Sequence, residues 1–314
     1  MWKLFKLGSW LITAGIAWSL GYIYNVHHGG ELSFLRKMYE HKMAVAEQVQ
    51  APTRVLIVGG SGANYATSAA AIEAELGIPV FNLGLDGPVG LNVILPSTLE
   101  QVSLGDIVLL IPEDLILLDD DGLLDRSVPF GIAIGRPGLG DVPPKQLAEN
   151  LLLVGTPTLR GLTKSTVDLI EKGEMTGYYS DPFTDRGDPT VTKVRHGKWW
   201  KWRIKQSISD HAIERITEFR EQVEAKGGTL VLSLPWVYGS TEQESIANMR
   251  KIATELEKIA PVIAYDPETF NLKSDSSLFA DTHHHLLPDS RKIRARELAE
   301  GLEPFVKKDR TGAK

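Results

Sequence analysis

Two widely separated segments of the chain carry residue types that together could form a nucleophilic site. An apolar run at residues 55–58 leads into Gly59-Gly60-Ser61-Gly62, and far downstream the chain reads Asp281-Thr282-His283-His284-His285-Leu286. A serine hydroxyl needs a base to accept its proton, and the imidazole that does so needs an acid to fix its tautomer. The sequence therefore predicts acyl-transfer chemistry in which Ser61 is the nucleophile and the late Asp/His segment supplies the other two groups.

The elements that must position these residues alternate between buried-type strands and helices. The predicted strands lie at residues 54–58, 79–83, 106–111, 229–234 and 262–265, and the predicted helices at 64–76, 91–101, 207–226, 242–259 and 288–306. Continuous apolar strands separated by helices are typical of a parallel sheet covered on both faces. We expect an α/β fold with Ser61 at the carboxyl edge of the sheet, where the amides of Ser61 and Gly62 could hold an oxyanion.

Composition limits the other classes of function. The chain has 314 residues, of which 43% are hydrophobic, and a formal net charge of −6, whereas a nucleic-acid scaffold needs a basic face. There are no cysteines, which excludes disulfides, thiolate metal sites and a cysteine nucleophile. Three adjacent histidines in a loop cannot easily converge on one ion, so we expect neither a metal nor another cofactor.

The N-terminal segment suggests a membrane anchor. Residues 7–24 contain no charged side chain, and about 20 apolar residues span a bilayer. Trp10 and Trp18 suit the membrane interface, while Lys3 and Lys6 favour a cytoplasmic N-terminus. We expect a single-pass membrane protein whose body is periplasmic or extracellular. The alternatives are a cleaved signal peptide and a buried helix of a soluble protein.

The predicted organisation is an anchor at 1–25, a helical stalk at 26–52, an α/β domain at 53–306 and a disordered tail at 307–314. An insert around 119–202 interrupts the α/β pattern, and a loop of that length usually covers a site or carries small helices. It contains the basic, aromatic run that includes Trp199, Trp200 and Trp202. These rings are candidates for stacking on a sugar, for contact with a bilayer, or for ordinary core packing.

Three motifs, in their order and separation, resemble a known family. Gly59-Gly60-Ser61, Asn82-Leu83-Gly84 and the segment from Asp281 to Leu286 are similar to motifs of the SGNH/GDSL superfamily of serine esterases and acetyltransferases. The match is to its membrane-anchored branch, which is linked to O-acylation of extracellular polysaccharide or cell wall. It covers roughly residues 54–118 and 228–302. The resemblance implies a flavodoxin-like three-layer sandwich of SGNH hydrolase type.

The resemblance also implies roles for individual residues. His285, which precedes Leu286, aligns with the family's base, and His284 is the alternative because it has the usual spacing from Asp281, the orienting acid. Gly62 would donate to the oxyanion. The family's asparagine donor has no counterpart, because the chain reads Ile111-Pro112-Glu113-Asp114 after the third strand. Asn82 or the amide of Gly84 would substitute for it.

The function implied is that of a membrane-tethered extracytoplasmic serine esterase or O-acyltransferase, acting on acyl esters, mainly acetyl esters, of a glycan. Its partners would be the membrane, the glycan or acyl-ester substrate, and a membrane acyltransferase that supplies the acyl group; no nucleic acid is expected. One alternative is a non-catalytic, membrane-tethered glycan-binding or assembly protein with a degenerate SGNH fold. The other is a soluble nucleotide-binding enzyme that uses the Gly59–Gly62 loop, although Tyr65 stands where the dinucleotide fingerprint has its third glycine.

Overall fold

The structure is a computed structural model that describes residues 2–175, 182–194 and 200–312. Its contacts divide the chain into two units, Met1–Glu40 with Asp125–Asp181, and His41–Leu124 with Pro182–Lys314. The α-helices are α1 (Trp2–Ile23), α2 (Glu31–Gln48), α3 (Ser61–Ala66), α4 (Ala69–Leu76), α5 (Leu91–Leu99), α6 (Asp114–Leu117), α7 (Ser127–Ala133), α8 (Pro144–Val154), α9 (Leu159–Lys172), α10 (Asp210–Ala225), α11 (Gln243–Ile259) and α12 (Pro288–Gly312).

A five-stranded parallel sheet forms the centre of the second unit. The described residues form two sheets, whose strands in chain order are β1 (Val55–Gly59), β2 (Val80–Asn82), β3 (Ile107–Ile111), β4 (Thr229–Ser233), β5 (Val237–Tyr238), β6 (Val262–Ile263) and β7 (Leu272–Lys273). The order in the main sheet is β2-β1-β3-β4-β6, and β5 pairs with β7 in a separate two-stranded parallel sheet. Ranked along the chain, the main order is 2-1-3-4-5, the doubly wound arrangement whose ligand crevice opens at the carboxyl ends of the first and third strands.

Helices cover both faces of this sheet, which explains why β1 and β3 contain no polar side chain. Every residue of β1 and β3 is buried. On one face, Val55 and Ile57 belong to a hydrophobic cluster that includes Ile72 of α4 and Leu298 of α12. On the other, α5 contacts β1, α10 contacts β4, and these two helices contact each other. The predicted α/β class with a parallel sheet is therefore present.

A buried ion pair holds β1 and β3 together at their amino ends. The Arg54 guanidinium donates to Asp106 through Nε, at 2.9 Å from Oδ1, and through Nη2, at 2.6 Å from Oδ2. Both side chains are almost completely buried. Arg54 also donates to the carbonyl oxygens of Ala46 and Gln101. A buried charge is tolerated only when it is paired and fully hydrogen-bonded, and this arginine meets both conditions.

The prediction of an N-terminal transmembrane helix is wrong. Residues 2–23 do form a helix, α1, but no helix in the described part of the chain is both long and apolar enough to cross a membrane. The physical reason is that uncharged is not the same as apolar. Glycine, serine, threonine, tryptophan and tyrosine make up much of residues 7–24, and they dilute the leucine and isoleucine. The predicted single-pass location, with a cytoplasmic N-terminus and a periplasmic or extracellular body, depended on that helix and is wrong for the same reason.

The first unit is helical. Within it, the Trp18 indole of α1 donates to the carbonyl oxygens of Leu151 and Leu152 in α8, and Asn25 donates to that of Val154. Helices α8 and α9 occupy the region where the sequence predicts an insert with small helices. In the second unit, α12 continues to Gly312, through residues for which the sequence predicts a disordered tail.

Candidate active site

Ser61 follows the carboxyl end of β1 and is the first residue of α3. Glu113 follows β3, the neighbouring strand, and precedes α6. The carboxyl ends of these two strands mark the crevice where ligands bind in a sheet of this order. The strand pairing therefore brings together two polar residues that are 52 positions apart in sequence.

The Glu113 carboxylate is the hydrogen-bond partner of the Ser61 turn. Its Oε1 accepts from Ser61 Oγ at 3.3 Å and from the Gly62 amide, and its Oε2 accepts from the Gly60 amide at 3.1 Å. Glu113 is only 2% exposed. Burial raises the pKa of its carboxyl above the usual range, although the charge of His284 and the Gly62 hydrogen bond oppose the rise. The site thus contains a buried acid whose proton affinity is increased.

Two glycines make room for this carboxylate. A Cβ at residue 60 would lie 2.3 Å from Glu113 Oε2, and one at residue 62 would lie 2.8 Å from Glu113 Cγ. Real Cβ atoms do not approach other atoms so closely. Gly62 is therefore explained by the packing of Glu113, a residue for which the sequence predicts no role. Gly60 is explained by the same carboxylate together with the backbone of Gly87, whose Cα would lie 2.6 Å from the added Cβ.

His285 and Asp281 form a carboxylate–imidazole pair. The Nδ1 of His285 lies 2.7 Å from Asp281 Oδ1. Burial acts to raise the pKa of the Asp281 carboxyl, but the hydrogen bond and charge of His285 outweigh it, and the pKa is lowered. In the loop between them, Thr282 Oγ1 accepts from the amides of His284 and His285, each at 3.2 Å. The loop is thereby held in the shape that aims the ring at its acid.

The second nitrogen of His285 faces the interior. Within the described part of the chain, its Nε2 is buried and has no hydrogen-bond partner. The ring centroid lies 4.5 Å from that of Tyr65, which is on α3, the helix that begins at Ser61. In a serine triad, the acid holds Nδ1 and Nε2 faces the nucleophile. His285 has this tautomer-fixing contact, whereas Ser61 Oγ donates to Glu113 in this conformation.

His284 belongs to a different pair. Its Nε2 lies 2.9 Å from Asp114 Oδ1, and Asp114 Oδ2 accepts from the Trp202 indole at 2.7 Å. Burial acts to lower the His284 pKa, but Asp114 and Glu113 outweigh it and the pKa is raised. Burial likewise acts to raise the Asp114 pKa, but His284 and Trp202 outweigh it and the pKa is lowered. These shifts favour an imidazolium–carboxylate pair beside Glu113.

The other predicted oxyanion donors are engaged within the protein. The Gly84 amide donates to Asn82 Oδ1 at 3.0 Å, and Asn82 is fully buried. Asn82 Nδ2 is within hydrogen-bond distance of Ala63 O, Asn64 O, Thr67 Oγ1 and Asp188 Oδ1. Of the three donors that the resemblance implies, Gly62 is the one in the Ser61 turn, and it donates to a group in the crevice, the carboxylate of Glu113.

A buried lysine, Lys42, joins α3 to the end of β2 by hydrogen bonds. Lys42 Nζ donates to Asn64 Oδ1 at 2.8 Å, to Asn82 O at 2.9 Å and to Asn82 Oδ1 at 3.2 Å. Burial lowers the pKa of this amine from 10.5 to about 7, with the charge of Asp188 opposing the change and that of Arg291 adding to it. Lys42 is a residue that the sequence alone does not single out, since a lysine on a helix is usually exposed.

Aromatic rings flank the histidine loop. The His283 ring is close to both Trp200 and Trp202, with ring centroids 5.5 and 5.2 Å away, and both tryptophans are at least 40% exposed. Trp199, the third predicted substrate-binding residue, lies outside the described residues. Among the residues that are described, no group of His, Asp and Glu side chains is arranged to hold a metal.

The fold and site together define an α/β protein with a serine, a buried glutamate and two carboxylate-paired histidines at the carboxyl edge of a parallel sheet. No protein-family model matches the chain, and no curated protein does. Its structure is similar to the crystal structure of the YxiM protein from Bacillus subtilis, with a TM-score of 0.36 and 15% identity over 84% of this chain. The chain spans 58% of the length of that protein. So distant a likeness carries no argument about activity.

Proposed function

We propose that the chain is a serine-dependent acyl-transfer enzyme, an esterase or an O-acyltransferase. Ser61 is the nucleophile, His285 the general base and Asp281 the acid that orients it. The observation that carries the proposal is the His285–Asp281 pair, 2.7 Å apart, which leaves a buried and unpartnered Nε2 beside the helix that Ser61 begins. Burying the Nε2 of His285 without a hydrogen-bond partner costs free energy, so this arrangement has no evident structural benefit.

The proposed reaction follows from these roles. Ser61 Oγ attacks the acyl carbonyl carbon while its proton passes to His285 Nε2, and Asp281 stabilises the resulting imidazolium. The tetrahedral intermediate expels the alcohol, which takes the proton from His285, and leaves an acyl-serine. Water then releases an acid, or a sugar hydroxyl takes the acyl group and forms a new ester. The oxyanion would accept from the amides of Gly60 and Gly62.

The substrate class we propose is an acyl ester, chiefly acetyl, of a glycan. The support is the exposed pair Trp200 and Trp202 beside the histidine loop, because indole faces stack on sugar rings. The identity of a protein that would supply acyl groups to a transferase stays a prediction from the resemblance.

Covalent labelling tests the nucleophile. The full chain should react with a small uncharged fluorophosphonate, and the adduct should map to Ser61 by peptide mass spectrometry. We expect S61A to be unlabelled and H285A to react about 10²–10⁴-fold more slowly, because the hydroxyl loses its base. H283A is the matched control and should react like the wild type. Labelling of S61A at the wild-type rate would exclude Ser61 as the nucleophile.

A second assay separates hydrolysis from transfer. Release of p-nitrophenol from its acetate ester, measured with and without an oligosaccharide acceptor, shows whether water or a sugar hydroxyl takes the acyl group. An esterase turns over without the acceptor. A transferase is labelled at Ser61 but turns over only when the acceptor is present.

One observation favours a second candidate, a non-catalytic glycan-binding protein. Glu113 engages the serine hydroxyl and both glycine amides, so the donors needed for chemistry are in use in this conformation. This candidate predicts oligosaccharide binding that W200A weakens, together with no labelling of Ser61 at any pH. The nucleotide-binding alternative is disfavoured, because a buried carboxylate at the Gly60–Gly62 amides repels phosphate.

A further inference from the structure

The contacts of Glu113 resemble those of a reaction intermediate more than those of an ordinary buried acid. Its two oxygens accept from the amides of Gly60 and Gly62 and from the hydroxyl of Ser61. Backbone donors that converge beside a nucleophile are the usual components of an oxyanion hole. Here a negatively charged group of the protein itself occupies them.

This arrangement is built into the backbone. Gly60 and Gly62 leave room for the carboxylate where it lies, since a Cβ at either position would come within 2.8 Å of the Glu113 side chain and force it to shift. Glu113 itself is fixed at the end of β3, where its carbonyl oxygen accepts from the amides of Ile116 and Leu117 in α6. The glutamate backbone is therefore anchored, and displacing the carboxylate requires rotation of the side chain alone.

The charged groups around Glu113 determine how strongly its carboxyl is held by the Gly60 and Gly62 amides. His284 faces it with a positive charge that favours the carboxylate, while Asp86 and the burial itself favour the neutral acid. Asp114, the next residue, pairs with His284 and helps to keep it charged. A protonated Glu113 loses the charge that strengthens its bonds to the two amides, so those bonds weaken.

We propose that Glu113 is an internal gate, which occupies the oxyanion position and must be displaced by the substrate carbonyl before Ser61 can react. The inference rests on the proposed function of Ser61. Displacement moves the side chain out of the Ser61 turn and frees three donors at once. Closed, the gate protects the serine from adventitious acylation; open, it supplies the donors that the tetrahedral intermediate needs.

The experiment compares rates of fluorophosphonate labelling at Ser61 in the wild type, E113A and E113Q from pH 5.5 to 9. We expect E113A to react at least about tenfold faster than the wild type at the upper end of this range, because ionisation of Glu113 strengthens the bonds that keep the gate closed. As the pH is lowered and more of the wild-type glutamate is protonated, this ratio should fall towards the ratio of E113A to E113Q. The dependence on the base is common to both proteins and largely cancels in the ratio. E113Q, which keeps the shape without the charge, should lie between them.

A second variant and a second measurement keep the test decisive. If E113A does not fold, as judged by circular dichroism, E113D replaces it, since its shorter side chain withdraws the carboxylate from the amides and should also speed labelling. In ¹⁵N-labelled protein, the Gly62 amide proton should lie far downfield and titrate with Glu113, and it should do so in S61A as well.

The outcomes are distinct. If the wild type is labelled and the glutamate variant is labelled at the same rate or more slowly, the gate alone is overturned. Slower labelling of the variant would show that Glu113 promotes the reaction. A Gly62 amide that does not titrate also overturns the gate. Absence of labelling in every protein, with the Gly62 titration intact, overturns Ser61 as the nucleophile, and the gate with it.

Discussion

The buried amine of Lys42 makes a quantitative prediction about stability and pH. In the unfolded chain the lysine holds its proton up to pH 10.5, whereas burial lowers the pKa in the folded protein to about 7. Between these values the unfolded state binds more protons than the folded state. The free energy of unfolding must therefore rise with pH across this window, and level off above 10.5 and below about 7.

The magnitude follows from the two pKa values. The whole difference corresponds to about 5 kcal/mol, since one pKa unit is worth about 1.4 kcal/mol. Between pH 7.5 and 9, Lys42 alone should add about 2 kcal/mol to the free energy of unfolding. Burial justifies using the full value, because the side chain is 0% exposed and solvent does not screen it.

Urea unfolding at pH 7.5, 8.2 and 9, for the wild type, K42M and K251M, measures this contribution. Lys42→Met leaves Asn64 and Asn82 without their donor, so its absolute stability also changes; the diagnostic quantity is the slope against pH. We expect the wild-type slope to exceed that of K42M by about 2 kcal/mol over the range. Lys251 is exposed, so K251M should keep the wild-type slope. Parallel profiles for the wild type and K42M would refute the reasoning.

Three further predictions concern other contacts. D281N should lower the rate of Ser61-dependent ester hydrolysis by about 10³–10⁴-fold with little change in folding, because the amide cannot fix and charge-stabilise His285. D106A should lower the free energy of unfolding by about 3–5 kcal/mol in urea denaturation, because Arg54 is left buried without its partner. W200A should raise KM for an acetylated oligosaccharide while leaving kcat for p-nitrophenyl acetate unchanged, because the proposed role of the ring is to contact the sugar and not the acyl group.

The first two of these share a matched control. D289N, at an exposed carboxylate that pairs with Lys292, should be silent in the assays used for D281N and D106A. Equal activity of D281N and the wild type would remove Asp281 from the mechanism. A D106A protein of wild-type stability would show that the ion pair is redundant. If W200A changes the turnover of the small ester as well, its role is in folding rather than in sugar recognition.

The sequence predicts the main sheet well, because the signal is local and strong. The strand predicted at 54–58 appears as Val55–Gly59 and that at 106–111 as Ile107–Ile111, since runs of valine, leucine and isoleucine suit strands covered on both faces. The pairing of His285 with Asp281 is similarly local, because only four residues separate them. Both predictions needed no knowledge of long-range packing.

The remaining features depend on which elements become neighbours. In the sequence, Glu113 is noted only because the segment after the third strand lacks the family's asparagine. Its contacts with the Ser61 turn depend on the pairing of β3 with β1, which the sequence does not show. A lysine in a helix of mixed charge predicts a solvated side chain, yet Lys42 finds acceptors 22 and 40 residues away. The transmembrane prediction failed for another reason, since it counted charges in residues 7–24 and gave too little weight to the weak hydropathy of its small and aromatic residues.

The Arg54–Asp106 pair has an evolutionary consequence. It ties β1 to β3 at their amino ends, while Ser61 and Glu113 project from the carboxyl ends of the same two strands. Stability and the proposed chemistry therefore depend on opposite edges of one sheet, seven positions apart along each segment, from residue 54 to 61 and from residue 106 to 113. Substitutions at positions 61 and 113 can change the chemistry of the crevice without breaking the Arg54–Asp106 ion pair that joins the two strands. In a chain built in this way, the residues that face the crevice are separate from those that join the two strands at the other edge.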